Sequence, residues 1–384
     1  MLIKSIIAKK IKDSRGEETI EVSVNNQKAS SPSGKSKGKY ETPSWNKNIN
    51  WDIKAINGLK IDFEINSFLD LKKVEILIKK EFNLSNVKLF GANALYALES
   101  AILKALAKHQ KKELWQIINP KAKKFPIPVG NAVGGGLHSH IKNHPVFQEF
   151  LLIPKSKSPR ENVSNMKYVY EKLSRIIHSK KINDEGALET SAEEENILSI
   201  LSEFKDKVNI GIDVAASSFY KNGSYNYNDK SLNKEEQIDY INELIEKYNI
   251  FYCEDAIQEE DFSSFAEVGK GKSPRRNRRC LVVGDDLTAT HISRLKRAIK
   301  SKSINAVIIK PNQNGSLIEL FKIFKICKKH KIKTILSHRS GETLDSGLAD
   351  YSFAFQADYI KCGIKTKCRE VKLQRLIEIE KSLK

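Results

Sequence analysis

The chain has 384 residues, a formal net charge of +19 and 40% hydrophobic residues. That apolar share supports a buried core and excludes global disorder, and with no uninterrupted apolar run of about 18 residues a membrane span is excluded. Five cysteines, at 253, 280, 327, 362 and 368, form no CxxC pair; this argues against a disulfide scaffold and a structural zinc site, and fits a reducing cytoplasm.

Residues 1–16, "MLIKSIIAKKIKDSRG", carry lysines every few positions and do not read as a signal peptide. Residues 1 to about 60 alternate short β-like runs with turn signals. In "TIEVSVNNQKAS", Ile20, Val22 and Val24 fall on one face of a strand ahead of an Asn-Asn turn. "SPSGKSKGKYE" reads as a Gly/Ser/Lys loop. From about residue 67 to 118 the pattern is helical, most clearly in "NALYALESAILKAL". These elements predict a small α+β domain over residues 1–120. "NPKAKKFPIP", with its three prolines, is the expected linker.

From residue 126 to 384 another rhythm takes over. Short apolar runs stop abruptly at a charged residue: Asp213 in "VNIGIDVAAS", Glu254 in "YNIFYCEDA", Asp285 in "CLVVGDD", Lys310 in "INAVIIKPN", His338 in "IKTILSHRS" and Lys361 in "ADYIKCG". Amphipathic helical stretches fill the gaps. Repeated strand–helix units predict an α/β fold with a (β/α)8-type barrel, in which functional residues sit at the C-terminal strand ends. A doubly wound sheet is the rival, but it binds at one switch point with few strands.

Barrel geometry points Asp213, Glu254 and Asp285 at a common centre. Such carboxylates repel one another unless a cation neutralises them, and an all-oxygen set suits Mg²⁺. The alternative is three separate helix caps. A strand-end lysine such as Lys310 or Lys361, near a cation and a second lysine, can lose its proton near neutral pH and serve as a base; the alternative for each alone is a solvated surface charge. "SHRS" supports an anion site, since an arginine fork matches phosphate.

The lysine excess favours anionic substrates and weak polyanion binding. Its densest cluster, residues 269–280, holds Arg275, Arg276, Arg278 and Arg279 in a Gly/Pro/Ser-containing loop. No aromatic residues interleave, so a base-stacking surface is not suggested.

Taken in order, "DSRG", "SGKSKG", "GANA", "GGGLH", "QEF", "DEG", "IDVAASSFY", "CED", "GDDLTAT", "IIKPNQNGS", "SHRSGET" and "IKCG" resemble the motifs of the enolase family, over nearly the whole chain. The resemblance implies a barrel of the enolase kind behind an N-terminal capping domain, and Mg²⁺-dependent dehydration of 2-phosphoglycerate in glycolysis and gluconeogenesis. It implies Lys310 as base and Glu185 as acid, with Glu149 assisting Glu185 and His138 nearby. It implies substrate contacts from Gln148, His138, Glu149, Lys310, His338, Arg339, Ser340 and Lys361. Asp213, Glu254 and Asp285 match the ligands of a first Mg²⁺, and Ser36 matches the loop serine that helps hold a second. A homodimer is also implied. The alternative is a catalytically impaired relative that binds nucleic acid or another polyanion through its basic surface.

Four departures carry expectations of their own. Ala187 replaces the second Gly of "DEGG", which strains the Glu185 loop if that position needs positive φ. The loop after His138 is longer by about two residues and adds His140 and His144. Lys35 and Lys37 stand where small or hydroxyl residues are usual. Ala256 stands where Pro is usual.

Overall fold

The computed structural model describes residues 1–35, 38–270 and 280–383. It opens with an antiparallel meander of strands Ile6–Lys12, Glu18–Val24 and Gln27–Ser30. Asn25 and Asn26 turn the chain with φ 46° and 65°, a conformation that asparagine tolerates better than most residues. Ile20, Val22 and Val24 lie buried on one face, as their alternation predicts, and the helix Ala92–His109 packs against that sheet.

The predicted helical stretch contains Leu71–Glu81, Ala92–His109 and Leu114–Ile118. In the preceding region, expected to hold only strands and turns, Ile49–Gly58 is a helix. Asn48 caps it, accepting a hydrogen bond from Trp51 N at 3.0 Å. Its apolar residues Ile49, Trp51, Ile53 and Ala55 fall at every second position, which imitates a strand; the residues it buries are Asp52, Ala55 and Ile56.

The principal sheet has nine strands, of which eight close into a ring. In chain order these are Ile127–Gly134, Glu149–Pro154, Val208–Asp213, Tyr252–Glu254, Leu281–Gly284, Ala306–Ile309, Lys333–Ser337 and Tyr359–Lys361. The expected barrel is therefore present. One strand departs from an all-parallel design: Glu149–Pro154 runs antiparallel to both of its neighbours. Its first residue thus sits at the rim where the parallel strands end, and Glu149 pairs in register with Asp213.

The strands read as unbroken apolar runs because both faces are covered. Outward residues such as Leu152, Ile212, Cys253, Val282 and Ile309 join the large core shared with the helices. Inward residues, among them Val129, Leu151, Tyr252, Val283, Ile308, Ile335 and Tyr359, fill the barrel as an apolar plug. Fully burying such side chains contributes about 1.5–3 kcal/mol each. Gly211 makes room for the plug: a Cβ there would lie 2.9 Å from Ile153 Cδ1 and 3.0 Å from Tyr252 Cβ.

Strand periodicity then sets the site. Two residues beyond Tyr252, Val283, Ile308 and Tyr359 on the same inward face come Glu254, Asp285, Lys310 and Lys361. Two residues before Leu151, on the reversed strand, comes Glu149. The charged ring is the next layer above the apolar plug.

The opposite end of the barrel is pinned by Asp358. Its carboxylate meets Lys124 Nζ at 2.5 Å and Lys333 Nζ at 2.8 Å and accepts from Thr334 N at 3.1 Å. Burial works against the charged carboxylate, but these partners outweigh it and hold its pKa below the ordinary value. The contribution is therefore complete above the unfolded-state pKa of about 4 and fades as pH falls through the lower folded value. Asp358→Asn is expected to lower unfolding free energy at pH 7 by about 1 kcal/mol, the lysines being half-exposed. Urea titrations at pH 7 and below pH 3 check this (both values are assay conditions chosen about the ordinary Asp pKa); a deficit that does not shrink in acid would contradict it.

Candidate active site

A cavity of about 250 Å³ opens at the C-terminal rim of the barrel. His138, Gln148, Glu149, Glu185, Asp213, Asp285, Lys310, His338, Arg339, Ser340 and Lys361 all line it. Glu254 is fully buried beside it. Ser36, together with Lys37, lies outside the described residues, as do Arg275, Arg276, Arg278 and Arg279 of the basic loop.

Lys361 organises one side of the site. Its ammonium lies 2.6 Å from Glu149 Oε2, 3.1 Å from Asp213 Oδ2 and 2.9 Å from Glu254 Oε1. Burial disfavours that ammonium, but the surrounding carboxylates outweigh it and raise its pKa well above the lysine value. Glu254 still titrates high, at about 8, through burial and the neighbouring Asp213 charge, against the pull of Lys361. Tyr252 reaches up from the plug and donates to Glu254 Oε2 at 2.6 Å.

Lys310 pairs with Asp285 across a short contact. Burial lowers its pKa, but Asp285 outweighs burial and holds the ammonium above the ordinary range. The expected drop toward neutrality is therefore not found in this arrangement, because the nearest group is a carboxylate. Asp285 Oδ1 is buried and has no hydrogen-bond partner. Carboxylate oxygens of Asp255, Asp285 and Asp286 lie within 4.8 Å of one another, the one such acidic group among the described residues. Burial, then the adjacent carboxylates, raises Asp286 to about 7 and Asp255 well above its usual value. Asp213 and Glu254 instead converge on Lys361. The second carboxylates of "CED" and "GDD" were visible in the sequence as neighbours of the residues singled out, yet they join the cluster.

Glu149 and Glu185 form a second pair of carboxyl groups lining the cavity. Burial, with the Glu185 and Asp213 charges, raises the Glu149 pKa well above its ordinary value despite Lys361. Against burial, His138 first, with a hydrogen bond from Glu149 and the Arg369 charge, holds the Glu185 pKa well below its ordinary value. The two pKa values are driven in opposite directions. Asn131 Nδ2 lies 3.4 Å from Glu185 Oε2. Asn183 Oδ1 supports the same loop, accepting from Glu185 N at 2.9 Å and Ala187 N at 3.0 Å. The strain expected at Ala187 is absent: positive φ falls on Gly186, at 79°, and Ala187 is not among the positive-φ residues.

Arg339 faces the other side. Glu41, which sequence reasoning did not single out, holds its guanidinium bidentately at 3.0 and 3.1 Å. Gly34 passes so closely that a Cβ there would lie 1.9 Å from Arg339 Nη2. Ser340 Oγ accepts from Lys35 N at 2.8 Å. Asp184 links two loops over the cavity, 3.1 Å from Lys35 Nζ and 3.2 Å from His140 Nε2. Lys35 and His140 are two of the departures noted above, so each has a role in loop contact.

A family model described as "Enolase, C-terminal TIM barrel domain" matches residues 122–384, and one described as "Enolase, N-terminal domain" matches residues 3–118. A protein named Enolase from Archaeoglobus fulgidus is 35% identical over 407 residues, covering 99% of this chain and 97% of the relative. Its namesake from Sulfurisphaera tokodaii is 34% identical, covering 98% and 95%. That from Ehrlichia canis is 33% identical, covering 99% and 96%.

With its φ in the ordinary region, Ala187 restricts the unfolded chain at no native cost. Ala187→Gly is expected to lower unfolding free energy by about 0.4–1 kcal/mol. Urea denaturation checks it; a gain in stability would mean that the position does require a glycine conformation.

Proposed function

This chain belongs to the enolase family, and from that premise we propose that it catalyses the reversible dehydration of 2-phospho-D-glycerate to phosphoenolpyruvate, a lyase step of glycolysis and gluconeogenesis. One observation carries the reading. Lys310 follows one strand and Glu149 begins the strand four places away in the eight-strand ring, and both line the cavity with Glu185, so the base and the carboxylate that assists the acid come from opposite sides of the barrel. Removing a proton and a hydroxyl from adjacent carbons on opposite faces needs that opposition.

The buried, unpartnered Asp285 Oδ1 and the all-oxygen donor set fit Mg²⁺. Asp213, Glu254 and Asp285 are the residues that would hold it, with Ser36 for a second ion as the family resemblance implies. Bound there, Mg²⁺ supplies positive charge to the carboxylate oxygens of the substrate as negative charge builds on them.

Lys310 takes the C2 proton. It is a competent base once Asp285, the partner that holds its own proton, is engaged elsewhere. Lys361 pairs with the substrate carboxylate. Glu185 delivers a proton to the C3 hydroxyl, which leaves as water, and Glu149 supplies the proton to the pair. Arg339 and Ser340 bind the phosphate, with His138, Gln148 and His338 lining the remainder. The five cysteines are buried and form no disulfide, which supports a cytoplasmic setting. A homodimer is carried over from the family alone.

The test is conversion of 2-phosphoglycerate by purified protein, followed by ultraviolet absorbance. Turnover is expected with Mg²⁺, to vanish with EDTA, and to fall by about 10²–10⁴-fold or more in Lys310→Ala. Glu185→Gln should lose turnover yet still exchange the C2 hydrogen with deuterated solvent, since the base is intact. No turnover by folded, Mg²⁺-supplied protein would overturn the proposal. Loss of C2 exchange in Glu185→Gln with retention in Lys310→Ala would reverse the assigned roles.

A further inference from the structure

Arg369 belongs to none of the motifs that stand out in the sequence. It lies in the first turn of the helix Lys367–Ser382 and is fully buried. Its guanidinium reaches five acceptors on two segments that meet only in space. Nε donates to Glu185 O at 3.1 Å, and Nη2 donates to Asp184 O at 3.3 Å and Ser340 O at 2.9 Å. Nη1 donates to Arg339 O at 3.1 Å and lies 2.5 Å from His338 Nδ1.

That last contact has one chemical solution. A guanidinium is a donor only and does not lose its proton in a protein. His338 Nδ1 must therefore accept, which places the ring proton on Nε2. We propose that Arg369 is a positioning residue: it fixes His338 as the neutral Nε2–H tautomer and clamps the Asp184–Glu185 loop to the His338–Ser340 segment. The consequence for the reaction rests on the functional reading above, in which Glu185 and Ser340 act on one substrate.

The surroundings agree with the geometry. Burial opposes a charge on His338, and Arg369, Lys361 and Lys372 oppose it further, against the pull of Glu185; the balance lies well below the ordinary histidine value. An apolar side chain at 369 would leave four backbone carbonyls and a ring nitrogen without this donor, at about 1–3 kcal/mol for each buried group left unsatisfied. Lysine would keep the charge but not the fork, and so would not span both segments.

The experiment is nitrogen NMR of the full-length protein labelled at its histidines, with His338→Gln to assign the signal. The wild type is expected to show His338 protonated at Nε2 and bare at Nδ1, unchanged from about pH 5 to 8, the window in which free histidine titrates. Arg369→Lys, shown to be folded by circular dichroism, is expected to lose the single tautomer and to lower kcat/KM by about 10²-fold through the displaced loop. A wild-type signal with the proton on Nδ1, or one that titrates near the ordinary value, would overturn the proposal, and this needs no variant to fold. So would Arg369→Lys with an unchanged tautomer. The spectrum is read without substrate, so a wrong tautomer in an active enzyme sinks this inference alone, and the expected tautomer in an inactive one sinks the functional reading alone.

Discussion

Buried carboxylates at the barrel rim are the constraint on which the rest depends. Glu149, Asp213 and Glu254 all reach Lys361, and Asp285 faces Lys310. Two like charges 4 Å apart repel by about 4 kcal/mol at an effective dielectric of 20. Burial and the neighbouring Asp213 charge outweigh the pull of the one Lys361 ammonium, so Glu254 is pushed up to about 8. A rim built this way is poised for added positive charge. It also carries acids and bases whose pKa values are driven apart, as proton transfer in both directions requires.

Architecture serves that rim. The apolar plug below it excludes water and lets the same inward periodicity that packs Tyr252 and Val283 deliver Glu254 and Asp285. Reversal of the strand Glu149–Pro154 brings in one carboxylate that a parallel strand would have placed at the far end. The loops then close the cavity from above. Gly34 presses on Arg339, Glu41 grips its fork, and Asp184 joins Lys35 to His140. Beneath these loops Arg369 ties the acid side to the phosphate side.

Much of this was legible before any coordinates. Apolar runs that stop at Asp213, Glu254, Asp285, Lys310 and Lys361 announce a barrel and its rim, because strand ends in this fold face one centre. What escaped has a physical reason in each case. The Ile49–Gly58 helix spaces its first apolar residues at strand period. The direction of Glu149–Pro154 depends on how its neighbours pair, not on its own pattern. Glu41 and Arg369 look like ordinary members of charged stretches, and their partners lie far away along the chain. Ala187 shows the converse limit, since a changed residue type carries no strain when its neighbour Gly186 takes the left-handed turn.

The most direct test of the central claim is thermal unfolding of the wild type and of Asp285→Asn across a Mg²⁺ titration at constant ionic strength. A cation that completes the carboxylate rim binds the folded state alone. Wild-type stability should therefore rise saturably, by about 2.7 kcal/mol at a hundredfold excess over the dissociation constant. In Asp285→Asn the rise should need far more Mg²⁺. No Mg²⁺-dependent gain in the wild type, or the same titration curve in Asp285→Asn, would contradict the account.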